Sequence, residues 1–300
     1  MSHDTLPRPA GLREPAGPPP TAPRRRRHWT RRANPVAGLG SLIWLVVVLV
    51  PVYAMLSASL TRQDQSLTGN PLKPPSDPTF ENYGTVLDSG FGHLLANTAI
   101  AAVAVVGLVL VLALPLAYVA VRTGNRWSGA AFRLFLLGVA IPAQAVVVPL
   151  YLLIAKLGLY DTLPAVILPT AAFAMPVSVL ILTGTLRDIS EELYEAMALD
   201  GASPLRMLFQ LVIPLAKGGI STVVIYSALQ AWNGFLFPLI FTQSDGPRVL
   251  TLGLFNYVSQ FGVNVPALLA SVVLSGIPIF AVYLVARRAL VSGLMGVGGK

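Results

Sequence analysis

The chain has 300 residues, 54% of them hydrophobic and only 11% charged, with a mean hydropathy of +0.69 and a net charge of +8. That balance belongs to membrane proteins, so length does not count soluble domains here. With no cysteine, a disulfide framework and a thiolate metal site are both excluded.

Residues 1–38 are rich in Pro, Ala and Arg and bury too little apolar surface to fold, so a disordered cytoplasmic tail is expected. Its basic run RRRRHWTRR stands beside an apolar segment. It is therefore read as a topology signal that touches anionic lipid rather than nucleic acid. The apolar segment begins late and is long for the core of a signal peptide, which favours a retained first helix.

From residue 39 onward the sequence predicts one membrane domain, 39–300. Charge-free runs of the size a spanning helix needs, about 20 residues, occur at 39–61, 94–121, 134–155, 162–186, 218–244 and 249–286, the last span starting near Val265. One such run could be a buried helix of a large soluble protein, but six with charges only between them are spans. They lack the period-2 alternation of barrel strands, and lipid cannot satisfy an open sheet. An all-α membrane protein with six transmembrane helices follows. Pro115, Pro142, Pro149, Pro169, Pro176, Pro238 and Pro278 lie inside these runs, where membrane helices accept them with or without kinks.

With the amino terminus taken as cytoplasmic, 17 of the 21 Lys and Arg fall on the cytoplasmic side. Only Arg62, Lys73, Lys156 and Arg248 fall outside. This bias places both termini and the loop 187–217 in the cytoplasm. Residues 62–92 form the longest outside segment, and their Pro and Gly clusters argue against long helices.

Chemistry is conspicuously missing from the spans. None contains an internal Asp, Glu, Lys or Arg, and since a centred charge costs about 2.5–3.5 kcal/mol, no proton or sodium relay is being maintained. No GxxxxGK[ST], HExxH or GxSxG occurs, and His3, His28 and His93 are scattered. The chain is therefore expected to be no enzyme and to carry no cofactor or metal, its energy arriving from another polypeptide.

The loop 187–217 has the strongest local signals. Ser190 stands where a helix cap is wanted, and Glu191 and Glu192 occupy the favourable first turn. Leu193, Ala196, Met197 and Asp200 follow on one face. Gly201 suits the left-handed residue that ends the helix. Ser203–Pro204 then opens a second helix, whose apolar face is Leu205, Leu208, Phe209 and Val212 and which ends at Pro214. A hairpin results, and physics leaves three places for its apolar face: its own bundle, the lipid interface, or a groove on a partner protein.

Residue pattern narrows the choice. EAM at 195–197, three residues, Gly201, nine residues, Leu211, one residue and Ile213–Pro214 resembles the signature cytoplasmic loop of ABC-transporter permease subunits, written Glu-Ala-Ala, x3, Gly, x9, Ile, x, Leu-Pro. Met197, Leu211 and Ile213 are the departures. AWNGFLFPLIFT at 231–242, NPLKPPSDPTFENYGTVL at 70–87 and the terminal GLMGVGGK are similar to the carbohydrate-uptake, maltose-type branch. Gly234 stands where many relatives have an acidic residue.

The resemblance implies that the hairpin inserts into an ATPase, with Glu195, Ala196, Met197, Asp200, Gly201, Leu211, Ile213 and Pro214 as its coupling positions. It also implies a second homologous permease, two ATP-binding subunits and an extracytoplasmic solute-binding protein as partners. The translocation path would serve a sugar or oligosaccharide. The same machine carrying a polyamine, phosphate or another small solute, and a non-transporting membrane scaffold, are the alternatives. Asn97, Gln144, Gln230 and Asn233 are the uncharged polar groups of the spans, with Tyr151, Tyr226 and Trp232 nearby. Gln230, Trp232 and Asn233 would suit a sugar if they face the path, by amide hydrogen bonds and a stacked ring. Helix-to-helix hydrogen bonding is the competing use.

Overall fold

The computed structural model describes residues 35–66, 70, 72–123, 126–259 and 262–295. Most of the expected tail, and the last five residues of the glycine-rich terminus, lie outside the described residues. By its internal contacts the chain divides into residues 1–47 and 48–300. In the first unit the described residues form the amino-terminal part of helix α1 (Pro35–Ser59), exposed throughout, with Ser41 Oγ donating to the Ala37 carbonyl at 2.8 Å.

In the second unit the end of α1 is pinned by a helix on the far side of a long loop. Asn82, in α2 (Glu81–Val86), donates through Nδ2 to the carbonyls of Ser59 and Thr61 at 2.9 Å each. Ser59 Oγ and the Tyr83 hydroxyl share a hydrogen bond of 2.7 Å. The last orphan carbonyls of an apolar helix are thereby satisfied where neither lipid nor water serves them fully.

The core is built on α3 (Gly92–Arg122), α6 (Leu163–Arg187) and α9 (Lys217–Trp232). Small residues line the α3–α6 seam, Ala113 and Ala117 on α3 and Ala171 and Ala174 on α6 belonging to one buried cluster with Val105, Val109 and Val179. Such side chains let backbones approach and gain dispersion where no hydrophobic effect operates between helices. Buried hydroxyls turn back onto their own helix: Ser178 Oγ donates to the Ala174 carbonyl at 2.8 Å and Ser227 Oγ to that of Val223 at 2.6 Å.

The direction of travel follows from contacts at the helix ends. Arg122 at the end of α3 meets Glu191, just past the end of α6, so the two helices end on the same side. The intervening segment must therefore come back across. It does so in two pieces, Phe132–Ala140, which takes in the last residues of α4 (Arg126–Leu136), and Ala143–Lys156, which contains α5 (Val147–Lys156), bent by 97°. The single helix expected over 134–155 is thus broken at Ile141–Pro142. Ile141 is extended (φ −83°, ψ 112°), the conformation that the Pro ring imposes on its predecessor. By contrast Pro51, Pro115, Pro169, Pro176 and Pro278 all sit within continuous helices.

The run 218–244 also splits. Helix α9 has 16 residues, about 24 Å of rise, too little for a hydrocarbon layer of about 30 Å. It stops at Asn233–Gly234 and resumes as α10 (Leu236–Phe241). After α11 (Leu250–Gly253) and a two-stranded hairpin, β1 (Val258–Ser259) with β2 (Gly262–Val263), the chain enters α12 (Val265–Met295), which starts where expected. Among the described residues four helices are long and apolar enough to cross a membrane, or up to six if two bent pairs, Phe132–Ala140 with Ala143–Lys156 and Pro204–Leu215 with Lys217–Trp232, are each counted as one span.

Two ties close the end of the bundle remote from the 187–217 loop. Asp161 (φ 60°) donates its N–H to the Phe241 carbonyl at 2.9 Å, and its carboxylate accepts from the N–H groups of Gln243 (2.7 Å) and Ser244 (2.9 Å). Those backbone bonds hold the Asp161 carboxyl below its usual value of 3.8. Nearby, Asn97 Nδ2 donates to the carbonyls of Gly246 (2.7 Å) and Arg248 (2.8 Å), and His93 Nε2 lies 2.9 Å from that of Gly246.

Candidate functional site

The loop between α6 and α9 folds as two helices, α7 (Glu191–Leu199) and α8 (Pro204–Leu215). Its turn is a Schellman closure: Gly201 (φ 73°) donates to the Ala198 carbonyl at 3.0 Å and Ala202 to that of Met197 at 2.9 Å. Ser203 caps α8, its Oγ accepting from the Arg206 N–H at 3.3 Å ahead of Pro204. Ser190 does not cap α7 through its side chain, which makes no such bond. Instead, Glu191 of the first turn receives Arg122 Nη1 on both carboxylate oxygens, at 2.5 Å each. Helix α8 passes through a π-helical turn, Leu208–Val212, and ends in a break at Ala216, where the chain bends by 81° into α9.

The packed face matches the expected one only in part: Leu208 and Val212 are buried and Met197 half-buried as their spacing predicts, while Ala196 is exposed. Leu193, Leu205 and Phe209 were assigned to it by spacing, yet all are exposed, the last two at 69% and 64%. The anchors are Tyr194, only 1% exposed, and Met207, Leu208, Leu211 and Val212, with Met197 and Ile213 half-buried against them. Leucines lie on several sides of α8, at 205, 208, 211 and 215, and α7 carries Leu193 and Leu199 on different sides, so periodicity alone has no unique solution; α3 decides it. Tyr194 lies under the Arg122 guanidinium, 4.2 Å from ring centroid to Cζ, and 6.5 Å from the Tyr118 ring. Burial raises the Tyr194 phenol above its usual 10.0, and the charge of Arg122 opposes that shift.

The motif positions thus divide in two. Met197, Leu211 and Ile213 hold the hairpin to the bundle, whereas Glu195, Ala196, Asp200, Gly201 and Pro214 are exposed. Leu199, 89% exposed, Leu205 and Phe209 are exposed as well, the first two within four residues of Gly201. Sequence reading did not single out Leu199; its place one residue before the helix ends is the signal that could have found it.

The residues expected along the path are less united. Trp232 Nε1 donates to the Ser275 carbonyl of α12 at 3.3 Å, and its ring packs on the cluster of Val86, Phe91, Leu94 and Ala270, so it joins helices. Asn233 is exposed and its Nδ2 donates to the Leu229 carbonyl at 3.1 Å, closing α9. Gln230, one turn earlier, is exposed as well. Gly234 follows at a position where a Cβ would lie 3.0 Å from the Gln230 carbonyl oxygen, and its own carbonyl accepts from Thr251 Oγ1 at 2.8 Å. Asn97 is engaged with the 246–248 loop. A cavity of about 170 Å³ between Leu239, Arg248 and Phe255 falls short of the roughly 300–1,000 Å³ of small-molecule sites.

Comparison with known proteins bears on the family and fold of the chain. The family described as binding-protein-dependent transport system inner membrane component matches residues 110–294, more than half the chain. The diacetylchitobiose uptake system permease of Streptomyces coelicolor is 31% identical over 252 residues, covering 83% of each chain. The glucose import system permease of Saccharolobus solfataricus is 29% identical over 266 residues, 86% of this chain and 91% of that one. Among solved structures, a bacterial ABC transporter involved in import of the polysaccharide alginate superposes with a TM-score of 0.72 at 23% identity, covering 86% of this chain and 97% of that one. That last likeness shows the fold.

Proposed function

Because the chain belongs to the family of binding-protein-dependent transport system inner membrane components, a multi-pass membrane permease and not an enzyme, we propose that it forms part of the path of a sugar or oligosaccharide importer. In this reading six spans cross the membrane, the third and fifth as broken helices, with both termini cytoplasmic. Residues 39–300 form the permease domain, and 187–217 the loop that docks on an ATP-binding subunit. The family description supplies the binding protein as a partner; a second permease and two ATP-binding subunits complete the machine. The relatives named for diacetylchitobiose and glucose support a carbohydrate cargo. So do spans without internal charge, which offer no counter-charge to a polyamine or phosphate.

One observation carries the coupling assignment. The hairpin spends Tyr194, Met207, Leu211 and Val212 on its own bundle and still leaves Leu199, Leu205 and Phe209 exposed, together with the carboxylates of Glu195 and Asp200. Apolar anchors rimmed by carboxylates fit a groove on a partner protein better than the hydrocarbon boundary, where carboxylates are costly. Leu199→Asp combined with Phe209→Asp changes only exposed positions, so the bundle should fold and the ATP-binding subunit should no longer co-purify. Normal assembly of that double variant would refute the assignment. The chain has no cysteine, so Leu199→Cys also gives a single label site, expected to react with a membrane-impermeant maleimide only from the cytoplasmic face. Gln230 and Asn233 are the path residues this reading retains; Trp232 contributes by holding α9 to α12.

A further inference from the structure

The hairpin is joined to α6 by residues 188–190, where Asp188 and Ile189 donate back to the Thr185 and Leu186 carbonyls at 3.3 Å each and Ser190 is extended (ψ 135°). A second attachment is made to a different helix. Tyr118 and Arg122 stand four residues apart on α3, hence on one face. Arg122 holds the Glu191 carboxylate and covers the Tyr194 ring, gripping the first arm of the hairpin at two points one turn apart. Tyr118 stands 6.5 Å from the same ring and donates its hydroxyl to Met207 Sδ at 3.7 Å, reaching the second arm.

We propose that Tyr118, Arg122 and Tyr194 form a clasp through which movement of the hairpin is passed to α3. They are positioning residues for the transport cycle, and this inference rests on the coupling reading above. The parts are not equal. The Glu191 side chain is 63% exposed, so water screens the ion pair and its share is small. The guanidinium over a ring that is only 1% exposed is the stronger element, since desolvation strengthens a cation–π contact. The Tyr194 hydroxyl is buried with no hydrogen-bond partner, so the clasp uses the ring and not the oxygen. Helix α3 spans 31 residues and its other end, at Leu94, packs with Leu250, Ala267 and Ala270. A displacement received at Arg122 is therefore delivered to the opposite side of the bundle.

The test uses the full importer complex reconstituted in vesicles, with solute moved per ATP hydrolysed as its readout and co-purification of the ATP-binding subunit measured alongside. Tyr194→Phe keeps the ring and should match the parent. Arg122→Gln and Tyr194→Leu should retain the ATP-binding subunit while solute moved per ATP falls by about threefold or more; Arg122→Lys, which keeps a cation, should fall between. An unchanged ratio in both Arg122→Gln and Tyr194→Leu would overturn the clasp. So would loss of the ATP-binding subunit in Arg122→Gln, which would make the contact a shaper of the hairpin and not a transmitter. Failure of the underlying reading shows separately, as normal assembly of the Leu199→Asp, Phe209→Asp variant.

Discussion

Replacing Gly201 isolates one physical quantity. No atom lies within 4 Å of the place a Cβ would occupy, so a substituent meets open space and its cost is that of the backbone alone. At φ 73° an L-residue pays about 1–2 kcal/mol, a β-branched one more, because its branched carbon crowds the following carbonyl. Asn pays least of the non-glycine residues, since its short amide stabilises this region locally. The predicted order of disruption is therefore Asn, then Ala, then Val. A loss of 1–2 kcal/mol raises the opening of the turn by about 5–30-fold.

Hydrogen exchange reads this directly at the Ala202 amide, which donates to Met197 in the closed turn, while co-purification of the ATP-binding subunit reads its consequence. Protection should fall along the series, and retention of the subunit should fall with it. Gly201→Val with parental protection would refute the reasoning, as would Gly201→Asn proving as damaging as Val. Either result would mean that something other than left-handed backbone holds the turn.

Further outcomes are expected elsewhere. Gly219 of α9 lies against Thr185 of α6, where an added Cβ would overlap Thr185 Oγ1 and stand 2.8 Å from its Cβ; Gly219→Ala should cost about 1–3 kcal/mol by overpacking. Gly184→Ala, one residue away on α6 with open space around it, should be neutral or stabilising, since Ala is the better helix former by about 1 kcal/mol; thermal unfolding in detergent separates the two. Asp161 has a carboxyl lowered in the folded state, so its contribution is fully present above the ordinary value of 3.8 and is lost as pH falls below it. Protection of the Gln243 and Ser244 amides, corrected for intrinsic exchange, should hold from neutral pH down to that point and then decline. Asp161→Asn, which keeps an acceptor but does not titrate, should abolish the decline.

The hairpin shows where local reading succeeds. Gly201 and the Ser203–Pro204 pair act within their own turn, and both adopt the conformations their chemistry prefers. Ser190 shows its limit: it stands at the cap position but its side chain accepts no N–H there, and the start of α7 is fastened instead by the ion pair of Glu191 with Arg122 from another helix. Prolines make the same point within the apolar runs. Pro142 breaks its helix, whereas Pro169 and Pro176, buried in α6, do not. The local rule is identical for all three, and packing against neighbours chooses which freed carbonyl can be tolerated.

What the amino-acid order determined by itself was the membrane class, the number of apolar runs, the confinement of charge to the segments between them and the place of the hairpin turn. Each depends on composition or on contacts within a few residues. Only the tertiary structure decided which faces of the hairpin are buried, that Asn97 and Trp232 bind the bundle to itself, and that the third and fifth runs are broken. In short helices with apolar residues on more than one side, such as Leu205, Leu208, Phe209 and Leu211 of α8, several faces compete. The choice among them is made by side chains such as Tyr118 and Arg122, far away in sequence, whose position exists only once the chain has folded.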